Sequence, residues 1–349
     1  MDQELASIAT RFDPNPNIQN ILITGAAGFI GSWLASHLVQ QYAGHYNIIA
    51  YDNLCRAASL KNVRHLEIFK NFTFVPGDIC NATLLLRTMH AHKIDTVMHL
   101  AAQTSVDDSY GNPIDSVVNN ITGTHTLLEC SRKVMVRRFI YMSTDEVYGP
   151  CGPEDIADES TVLRPTNPYS ASKASGEMLV HSYCKSYRLP TIVVRSNNAY
   201  GPHQYPEKII PKFSQLVHRG GKLTVMDKGL QSRCYLHVKD LINALDTILH
   251  KCQSDDFVIF NVSSSNNFTT LGIAFEILRA SGICGEREDL FRQWMIAVPD
   301  RPFHDMHYFT KCDKLKALGW SEKIDFQTGL KMTVDWYRSL EDAWWTTDL

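Results

Sequence analysis

The sequence predicts an α/β fold, in which a doubly wound parallel sheet is joined to a smaller C-terminal α/β lobe. Two observations lead to this prediction. Short apolar, β-rich runs alternate with helical patterns through the first half of the chain, and such alternation is typical of parallel sheets built from βαβ units. The length of 349 residues also leaves room for a large domain and a second, smaller lobe.

The predicted elements follow one another in a regular order. A first strand over 18–24 runs into a glycine-containing turn, 25–31, and then into a helix over 32–41. The next strands are predicted at 47–51, 72–75, 96–100, 138–142 and 191–195, and the helices that follow them at 81–92, 114–133 and 169–187.

The regular alternation breaks down after Ser196, where Gly, Pro and isolated charges become commoner. We therefore place the smaller lobe in this part of the chain. Residues 235–240 and the helix after them are expected to return to the main sheet. The predicted division is 18–196 plus 229–259 for the larger domain, and 197–228 plus 260–349 for the smaller one.

Composition and charge narrow the class of protein. A net charge of -3 gives no electrostatic signal for binding nucleic acid or an anionic membrane. No stretch approaches the roughly 18 apolar residues that a membrane span needs. Residues 1–17 lack the basic and apolar regions of a signal peptide, and nine scattered cysteines without a C-x-x-C pair are typical of a reducing compartment. We expect a cytoplasmic protein with no nucleic-acid or membrane partner and no metal.

The first turn carries Gly25, Gly28 and Gly31 between a strand and a helix. Glycines at such a turn let the backbone approach a pyrophosphate, and the helix N-terminus supplies N–H groups and a positive dipole end. Asp52 ends the second strand, where a carboxylate can bind ribose hydroxyls. The pattern predicts a Rossmann domain that prefers NAD, because a carboxylate disfavours the 2′-phosphate of NADP, although Arg56 nearby opposes this inference.

Two further sets of residues are candidates for the same site. Asp78 follows the third strand and could either bind the adenine amino group or cap the next helix, and the sequence leaves both open. Tyr169 and Lys173 are four residues apart and share one face of a predicted helix. An ammonium group beside a phenol lowers the phenol pKa from about 10 toward the range of a general base. The spacing alone is common by chance, and it gains weight from the glycine turn.

These motifs resemble the extended short-chain dehydrogenase/reductases, and from about Ile21 to Tyr337 the chain is similar to their nucleotide-sugar (dTDP/UDP-glucose) 4,6-dehydratases. The most specific feature is the acidic pair Asp145 and Glu146, just past a predicted strand. Related epimerases and decarboxylases do not usually carry this pair. Adjacent carboxyl groups suit acid–base work, because one can stay protonated while the other ionises. The alternative is that both are simply exposed loop acids.

The resemblance implies specific site residues. The expected NAD contacts are Gly25, Gly28, Phe29, Ile30, Gly31, Asp52, Asp78, Ile79, Ala101, Thr104, Tyr169 and Lys173. The expected catalytic residues are Thr144, Asp145, Glu146, Tyr169 and Lys173. The expected substrate contacts are Thr144, Asn198, Glu207, Lys208, Arg233, Asn266, Arg301 and His304. The resemblance also implies a homodimer packed through helices 114–133 and 169–187, an NAD-binding role for the larger domain and a sugar-nucleotide role for the smaller one.

The implied reaction converts an NDP-glucose to the 4-keto-6-deoxy sugar and water through transient NADH, which makes the protein an NAD-dependent hydro-lyase. Met226-Asp227 and Met306-His307 depart from the pattern of many relatives, whereas segments such as 101–104 look closer to eukaryotic UDP-glucose dehydratases. UDP-glucose is therefore the favoured substrate and dTDP-glucose the alternative. A 4-epimerase and a UDP-glucuronate decarboxylase remain as rival enzymes, and an NAD-sensing regulatory module as the rival that is not an enzyme.

Overall fold

A computed structural model describes residues 12–301, 303–340 and 344–345 of the chain. The prediction that residues 1–17 lack a signal peptide concerns mainly residues 1–11, which lie outside the described residues.

Twelve strands are present in the described residues. They are β1 (Asn20–Thr24), β2 (Asn47–Asp52), β3 (Phe72–Pro76), β4 (Thr96–His99), β5 (Arg138–Thr144), β6 (Thr191–Ser196), β7 (Asn198–Tyr200), β8 (Leu223–Met226), β9 (Ser232–His237), β10 (Val258–Val262), β11 (Asn267–Thr269) and β12 (Met295–Val298).

Twelve α-helices accompany these strands in the same part of the chain. They are α1 (Phe29–Gln41), α2 (Ala82–Ala91), α3 (Val106–Gly111), α4 (Pro113–Val117), α5 (Thr124–Val134), α6 (Pro168–Tyr187), α7 (Ile209–His218), α8 (Val238–Lys251), α9 (Thr270–Ala280), α10 (Arg287–Trp294), α11 (Asp313–Ala317) and α12 (Phe326–Arg338).

Seven strands form one parallel sheet in the order β10-β6-β5-β4-β1-β2-β3. Successive side chains of β1 point to opposite faces, so Ile21 and Ile23 pack with α1 and α8 on one side, while Leu22 packs with α2, α5 and α6 on the other. Because helices cover both faces, the strands read as continuous apolar runs in the sequence. The predicted doubly wound sheet is confirmed.

The strand order reverses at β1, which pairs with β2 on one side and with β4 on the other. In open parallel sheets such a reversal leaves a crevice beyond the carboxyl ends of the strands, and ligands bind there. The residues that end β1, β2 and β5 therefore come to one edge. These residues are Thr24, Asp52 and Thr144.

Local signals explain where α6 begins and ends. Asn167 and Ser170 form a reciprocal capping box, and Pro168 occupies the first turn, where its missing N–H costs no helical hydrogen bond. The helix ends at Arg188, which adopts a left-handed conformation with φ of 56°. The capping box fixes the start of α6 directly before Tyr169, and Lys173 follows one turn later.

The predicted helix over 114–133 is present but is not a uniform α-helix. A π-helical turn, Val118–Gly123, joins α4 to α5. Within this turn the Asn120 side chain hydrogen-bonds to both backbone groups of Gln103 and donates to the Ser172 hydroxyl. The π turn thus ties the helix to the loop after β4 and to α6.

The smaller lobe contains a three-stranded sheet, β11-β9-β7, and the pair β12-β8, with α7, α9 and α12 packed around its own apolar core. The prediction that residues 235–240 return to the main sheet was wrong for the strand. β9 instead pairs with β7 and β11, because β10 occupies the place beside β6 in the main sheet. The helix α8 does pack against α1, and β10 then rejoins the main sheet beside β6.

The chain therefore passes from the main sheet to the smaller lobe after β6, returns with α8 and β10, and leaves again at β11. Within the described ranges, no helix is both long and apolar enough to cross a membrane.

Candidate active site

A cavity of about 390 Å³ lies between the carboxyl edge of the main sheet and the smaller lobe. Most of the predicted site residues line it. These are Gly25, Gly28, Phe29, Ile30, Gly31, Asp52, Ile79, Ala101, Thr104, Thr144, Glu146, Tyr169, Lys173, Asn198, Glu207, Lys208, Arg233, Arg301 and His304. Three predicted residues, Asp78, Asp145 and Asn266, lie outside the lining.

The glycine turn between β1 and α1 has no room for a side chain at Gly25 or Gly31. A Cβ on Gly31 would lie 2.1 Å from the Gly25 carbonyl oxygen, and one on Gly25 would lie 2.7 Å from the Ala101 nitrogen. Gly25 also has a φ of +68°, which favours glycine. The turn places the N-terminus of α1 at the cavity, where the first helical N–H groups are available to an anion. It thus fits the diphosphate of a dinucleotide.

Asp52 is buried at the end of β2, beside this turn. Its Oδ2 accepts a hydrogen bond from the Ala27 N–H at 2.9 Å, and its Oδ1 accepts one from the Leu54 N–H at 2.7 Å. Burial raises the pKa of this carboxyl group above its ordinary value. Arg56 is engaged elsewhere, because its guanidinium pairs with Asp108 and lies 3.7 Å from Glu207. The observed contacts of Arg56 thus do not support the objection that this residue opposes a preference for NAD over NADP.

Asp78 does not cap the helix that follows it. The cap of α2 is Asn81, whose side chain accepts a hydrogen bond from the Leu84 N–H. Asp78 instead accepts hydrogen bonds from the Cys80 N–H at 2.7 Å and from the Asn53 amide at 3.3 Å. Of the two roles that the sequence left open, the helix cap is excluded.

Tyr169 and Lys173 lie on one face of α6 and are both almost fully buried, at 8% and 4% exposure. The expected lowering of the Tyr169 pKa is wrong for this structure. Burial, together with the charges of Glu146 and Asp145, raises the pKa of Tyr169 well above 10, and a hydrogen bond with Thr144 acts in the opposite direction. Burial also lowers the pKa of Lys173 to about 7. Desolvation disfavours the charged form of each group, and it is the largest cause of both shifts.

The acidic pair follows β5 in a short 3₁₀ turn that begins after Thr144. Asp145 is buried, its Oδ2 accepts a hydrogen bond from the Asn197 amide at 2.7 Å, and burial raises its pKa to about 7. Glu146 lines the cavity, and its Oε2 accepts a hydrogen bond from the Asn167 amide at 3.2 Å. The two carboxyl groups thus have different surroundings, because Asp145 is enclosed by protein and Glu146 lines the cavity. The reading of both as exposed loop acids is excluded.

The predicted substrate residues form two groups at the cavity. Glu207 accepts a hydrogen bond from the Thr104 hydroxyl at 3.1 Å, and the Lys208 ammonium donates to the Thr104 carbonyl at 2.5 Å. On the smaller lobe, Arg301 pairs with Asp107 at 2.6 Å. These contacts join the predicted cofactor side of the cavity to the predicted substrate side.

Arg233 and His304 complete the group on the smaller lobe. The Arg233 guanidinium lies 4.4 Å from the centre of the Tyr308 ring, and His304 pairs with Asp300 at 2.7 Å. Asn266 does not belong with them. Its amide donates to Ser264 and Glu322 in the turn before β11, away from the cavity.

Sequence reasoning missed a buried polar network behind the site. Glu177 and Arg195 form a fully buried ion pair, which Ser143 and Tyr148 extend by hydrogen bonds. One signal was available for Glu177, because it lies on the same helical face as Tyr169 and Lys173 at a further four-residue spacing. For Arg195 the sequence predicted only that it ends a strand, and it gave no sign of the partner.

Comparisons with known proteins agree with this geometry. The family model described as GDP-mannose 4,6 dehydratase matches residues 22–333. The chain is 43% identical over 330 residues to a trifunctional UDP-glucose 4,6-dehydratase/UDP-4-keto-6-deoxy-D-glucose 3,5-epimerase/UDP-4-keto-L-rhamnose-reductase of Arabidopsis thaliana. The matched region covers 94% of this chain and 48% of the relative. The chain thus spans about half the length of the trifunctional relatives that it matches.

Single-function relatives match over nearly their whole length. The dTDP-D-glucose 4,6-dehydratase of Bos taurus is 38% identical, with 95% of this chain and 92% of the relative covered. Among solved structures, a dTDP-glucose 4,6-dehydratase from Streptomyces venezuelae with NAD bound has a TM-score of 0.87 and 31% identity, and covers 94% of this chain and 99% of that chain.

The buried state of Asp145 predicts a specific dependence of stability on pH. In the folded protein Asp145 keeps its proton up to a pH of about 7, whereas an unfolded aspartate releases it near a pH of about 3.9. The folded state therefore holds one more proton between these values, and its stability falls as the pH rises through them and then levels off. Asp145→Asn removes this dependence. The unfolding free energy of the wild type minus that of the variant should fall by about 1.4 kcal/mol per pH unit between about pH 5 and pH 7.

Urea denaturation of both proteins across this range measures the difference. Asp155→Asn, in the exposed loop after β5, is the matched control and should show no comparable trend. A difference that stays constant or grows with pH would mean that Asp145 is ionised in the folded protein.

Proposed function

Since the chain belongs to the nucleotide-sugar 4,6-dehydratases of the extended short-chain dehydrogenase/reductase family, we propose that it converts a nucleoside-diphosphate glucose to the 4-keto-6-deoxy sugar with loss of water. The observation that carries the proposal is the pair Asp145 and Glu146 beside Tyr169. An epimerase or decarboxylase needs the tyrosine and lysine but not two carboxyl groups in different protonation states. A regulatory module that only senses NAD would need none of the four.

NAD is the cofactor, and its binding residues are those of the glycine turn and Asp52. The N-terminus of α1 faces the diphosphate, and the Asp52 carboxylate is placed to accept hydrogen bonds from ribose hydroxyls. Bound there, NAD would supply the hydride-transfer chemistry that links carbon 4 of the sugar to carbon 6. The protein supplies orientation and the movement of protons.

Tyr169 is the base for the first step. Its Oη takes the proton of the hydroxyl on carbon 4, and Thr144 helps because its hydroxyl hydrogen-bonds to the phenol and favours the ionised form. The Lys173 ammonium stabilises the same ionised form from the next turn of α6. Enclosure of both side chains excludes water and strengthens this interaction.

Glu146 and Asp145 act in the elimination. The ketone at carbon 4 acidifies the proton on carbon 5. The Glu146 carboxylate, which lines the cavity, removes this proton and returns it to carbon 5 when the hydride adds to carbon 6. Asp145, protonated up to a pH of about 7, supplies the proton with which the hydroxyl on carbon 6 leaves as water. This division follows the rule that two carboxyl groups in different environments take the roles of base and acid.

Substrate contacts are proposed for the polar residues at both ends of the cavity. Asn198, Glu207, Lys208 and Thr144 are placed to hold the sugar, while Arg233, Arg301 and His304 offer cationic or hydrogen-bonding groups for the diphosphate and nucleoside. A guanidinium fork suits phosphate oxygens because it donates two parallel hydrogen bonds. Asn266 is not included, since its amide is already engaged outside the cavity.

We infer that UDP-glucose is preferred to dTDP-glucose. The support is the higher identity to the plant proteins whose names include UDP-glucose 4,6-dehydratase, 43% against 38% for the dTDP-D-glucose enzyme of Bos taurus, together with the similar segments 101–104 and 301–303.

A cytoplasmic location is proposed because all nine cysteines are free thiols, as a reducing compartment requires.

The chain is proposed to form a homodimer through α4, the π-helical turn and α6. These elements carry large apolar side chains that are exposed in the single chain, among them Ile114 at 68% and Met178 at 54% exposure. Exposed large apolar side chains on two neighbouring helices are typical of an association face.

Substitution of Glu146 by Gln separates elimination from oxidation. The variant keeps the size and hydrogen bonding of the side chain but removes the base, so water loss should slow by about 10²- to 10⁴-fold. Oxidation at carbon 4 should survive, and the reduced cofactor should accumulate with absorbance near about 340 nm. Tyr169→Phe should prevent this absorbance from appearing. Glu154→Gln, an acid in the nearby exposed loop, is the control and should behave as wild type.

Release of the dehydrated product by Glu146→Gln at the wild-type rate would show that Glu146 is not the base. The epimerase and decarboxylase alternatives would then have to be reconsidered.

The nucleotide preference is tested by comparing UDP-glucose and dTDP-glucose at equal concentrations. We expect kcat/KM for UDP-glucose to be higher by roughly tenfold, the size of a single good polar contact. Mass spectrometry identifies the keto-deoxy product from each substrate. A higher kcat/KM for dTDP-glucose would reject the proposed preference and leave the dehydratase assignment intact.

The dimer is tested by sedimentation of the wild type and of the double variant Ile114→Glu with Met178→Glu. The wild type should sediment as a dimer, and the variant as a monomer because two charges would be buried at the interface. Ile68→Glu, which is also highly exposed but lies outside these helices, should remain dimeric. A monomeric wild type at micromolar concentration would contradict the proposal.

A further inference from the structure

A buried ion pair lies one helical turn beyond Lys173. Glu177 has no solvent exposure and Arg195 has 3%. The Arg195 Nη2 approaches the Glu177 Oε2 at 2.6 Å, and its Nε lies 3.1 Å from each carboxylate oxygen. Neither side chain lines the cavity, and the charged groups of both are engaged with each other and with Ser143 and Tyr148.

The pair is held in one orientation by its surroundings. The Ser143 hydroxyl donates to Glu177 Oε1. The free end of the guanidinium donates to the Tyr148 hydroxyl at 2.8 Å, and Tyr148 in turn donates to Asn261 at 2.7 Å. Both carboxylate oxygens and the guanidinium thus have partners, as a buried charge requires. The anion is thereby fixed on α6, on the face that carries Tyr169 and Lys173.

The charge of Lys173 depends on the groups that face it. Its ammonium lies 4.2 Å from the centre of the Tyr141 ring on β5. His99 on β4 is neutral at working pH, because burial lowers its pKa to about 3. On α6 itself the neighbours along this face are Tyr169, four residues before, and Glu177, four residues after. Burial lowers the pKa of Lys173, and the charge of Glu177 acts in the opposite direction.

We propose that Glu177, clamped by Arg195, is a positioning residue that keeps the buried Lys173 ammonium charged so that it can stabilise the ionised phenol of Tyr169. The inference rests on the proposed function, in which Tyr169 is the base of the first step. A neutral lysine at this position would leave the phenolate in a buried site without a cation. The Glu177–Arg195 pair then serves the reaction from outside the cavity lining.

The variant Glu177→Gln keeps the shape of the side chain and removes its charge. Lys173 must be protonated to act, so the rate of cofactor reduction falls as the pH rises through the pKa of Lys173. Without the nearby anion this fall should move to lower pH by about one unit. Because Glu177→Gln leaves Arg195 buried without a counter-ion, the double variant Glu177→Gln with Arg195→Met is made as well. Replacing both members of a buried pair by apolar or neutral groups is commonly tolerated. A pH shift in the same direction but of smaller size is expected, because a cation is removed together with the anion.

Tyr148→Phe is the matched control. It removes the hydrogen bond that Tyr148 accepts from Arg195 and the one that it donates to Asn261, but leaves every formal charge in place. If the network acted only by supporting the fold, this variant would move the pH profile as the charge variants do. We expect it to lower the thermal stability and to leave the high-pH limb of the profile where it is in the wild type.

A second readout does not depend on turnover. In protein labelled with ¹³C-lysine, the ε-carbon shift of Lys173, assigned through Lys173→Met, reports its titration directly. The titration should move to lower pH in the double variant and stay in place in Tyr148→Phe. A folded double variant with an unchanged Lys173 titration overturns the proposal. A shifted titration in a protein that makes no keto-deoxy sugar from any nucleotide glucose would instead reject the proposed function and leave the role of Glu177 standing.

Discussion

Parallel strands that end at one edge of a sheet place residues from distant parts of the chain in the same crevice. Here the ends of β1, β2 and β5 supply the glycine turn, Asp52 and the acidic pair, and the helix after β5 adds Tyr169 and Lys173. The smaller lobe can close this crevice only because the strand order reverses at β1. The sheet register thus positions the groups at the strand ends, whereas the capped start of α6 positions Tyr169 and Lys173.

The same enclosure creates the main electrostatic problem of the site. Asp145, Tyr169 and Lys173 are all buried. Burial raises the pKa of Asp145 and Tyr169 and lowers that of Lys173, so it favours the neutral form of each side chain. For Asp145 this shift is useful, because it yields an acid near neutral pH. For Tyr169 and Lys173 the shift opposes the reaction, so opposite charges and hydrogen bonds must offset it. The polar network around Glu177 and Arg195 and the hydroxyl of Thr144 are the groups that act in this direction.

The sequence was sufficient for six of the seven strands of the main sheet, all but β10, and for the residues at its edge, because glycine turns, buried strands and a capped helix have local signatures. It was insufficient where pairing partners are distant. β9 has a strand pattern, but the pattern does not say that β7 and β11 are its neighbours. Asn266 matched a motif, yet its amide binds Glu322, which lies far along the chain. The pKa of Tyr169 was misjudged because the sequence shows the nearby lysine but not the depth of burial.

The interleaving of the two lobes bears on how such a protein can diversify. The smaller lobe is made of segments that both precede and follow α8 and β10 of the main sheet. A single recombination junction therefore cannot exchange it whole, because either half would be separated from strands with which it pairs. New specificities are accessible chiefly through point substitutions at the cavity wall, which leave the scaffold shared by both lobes unbroken.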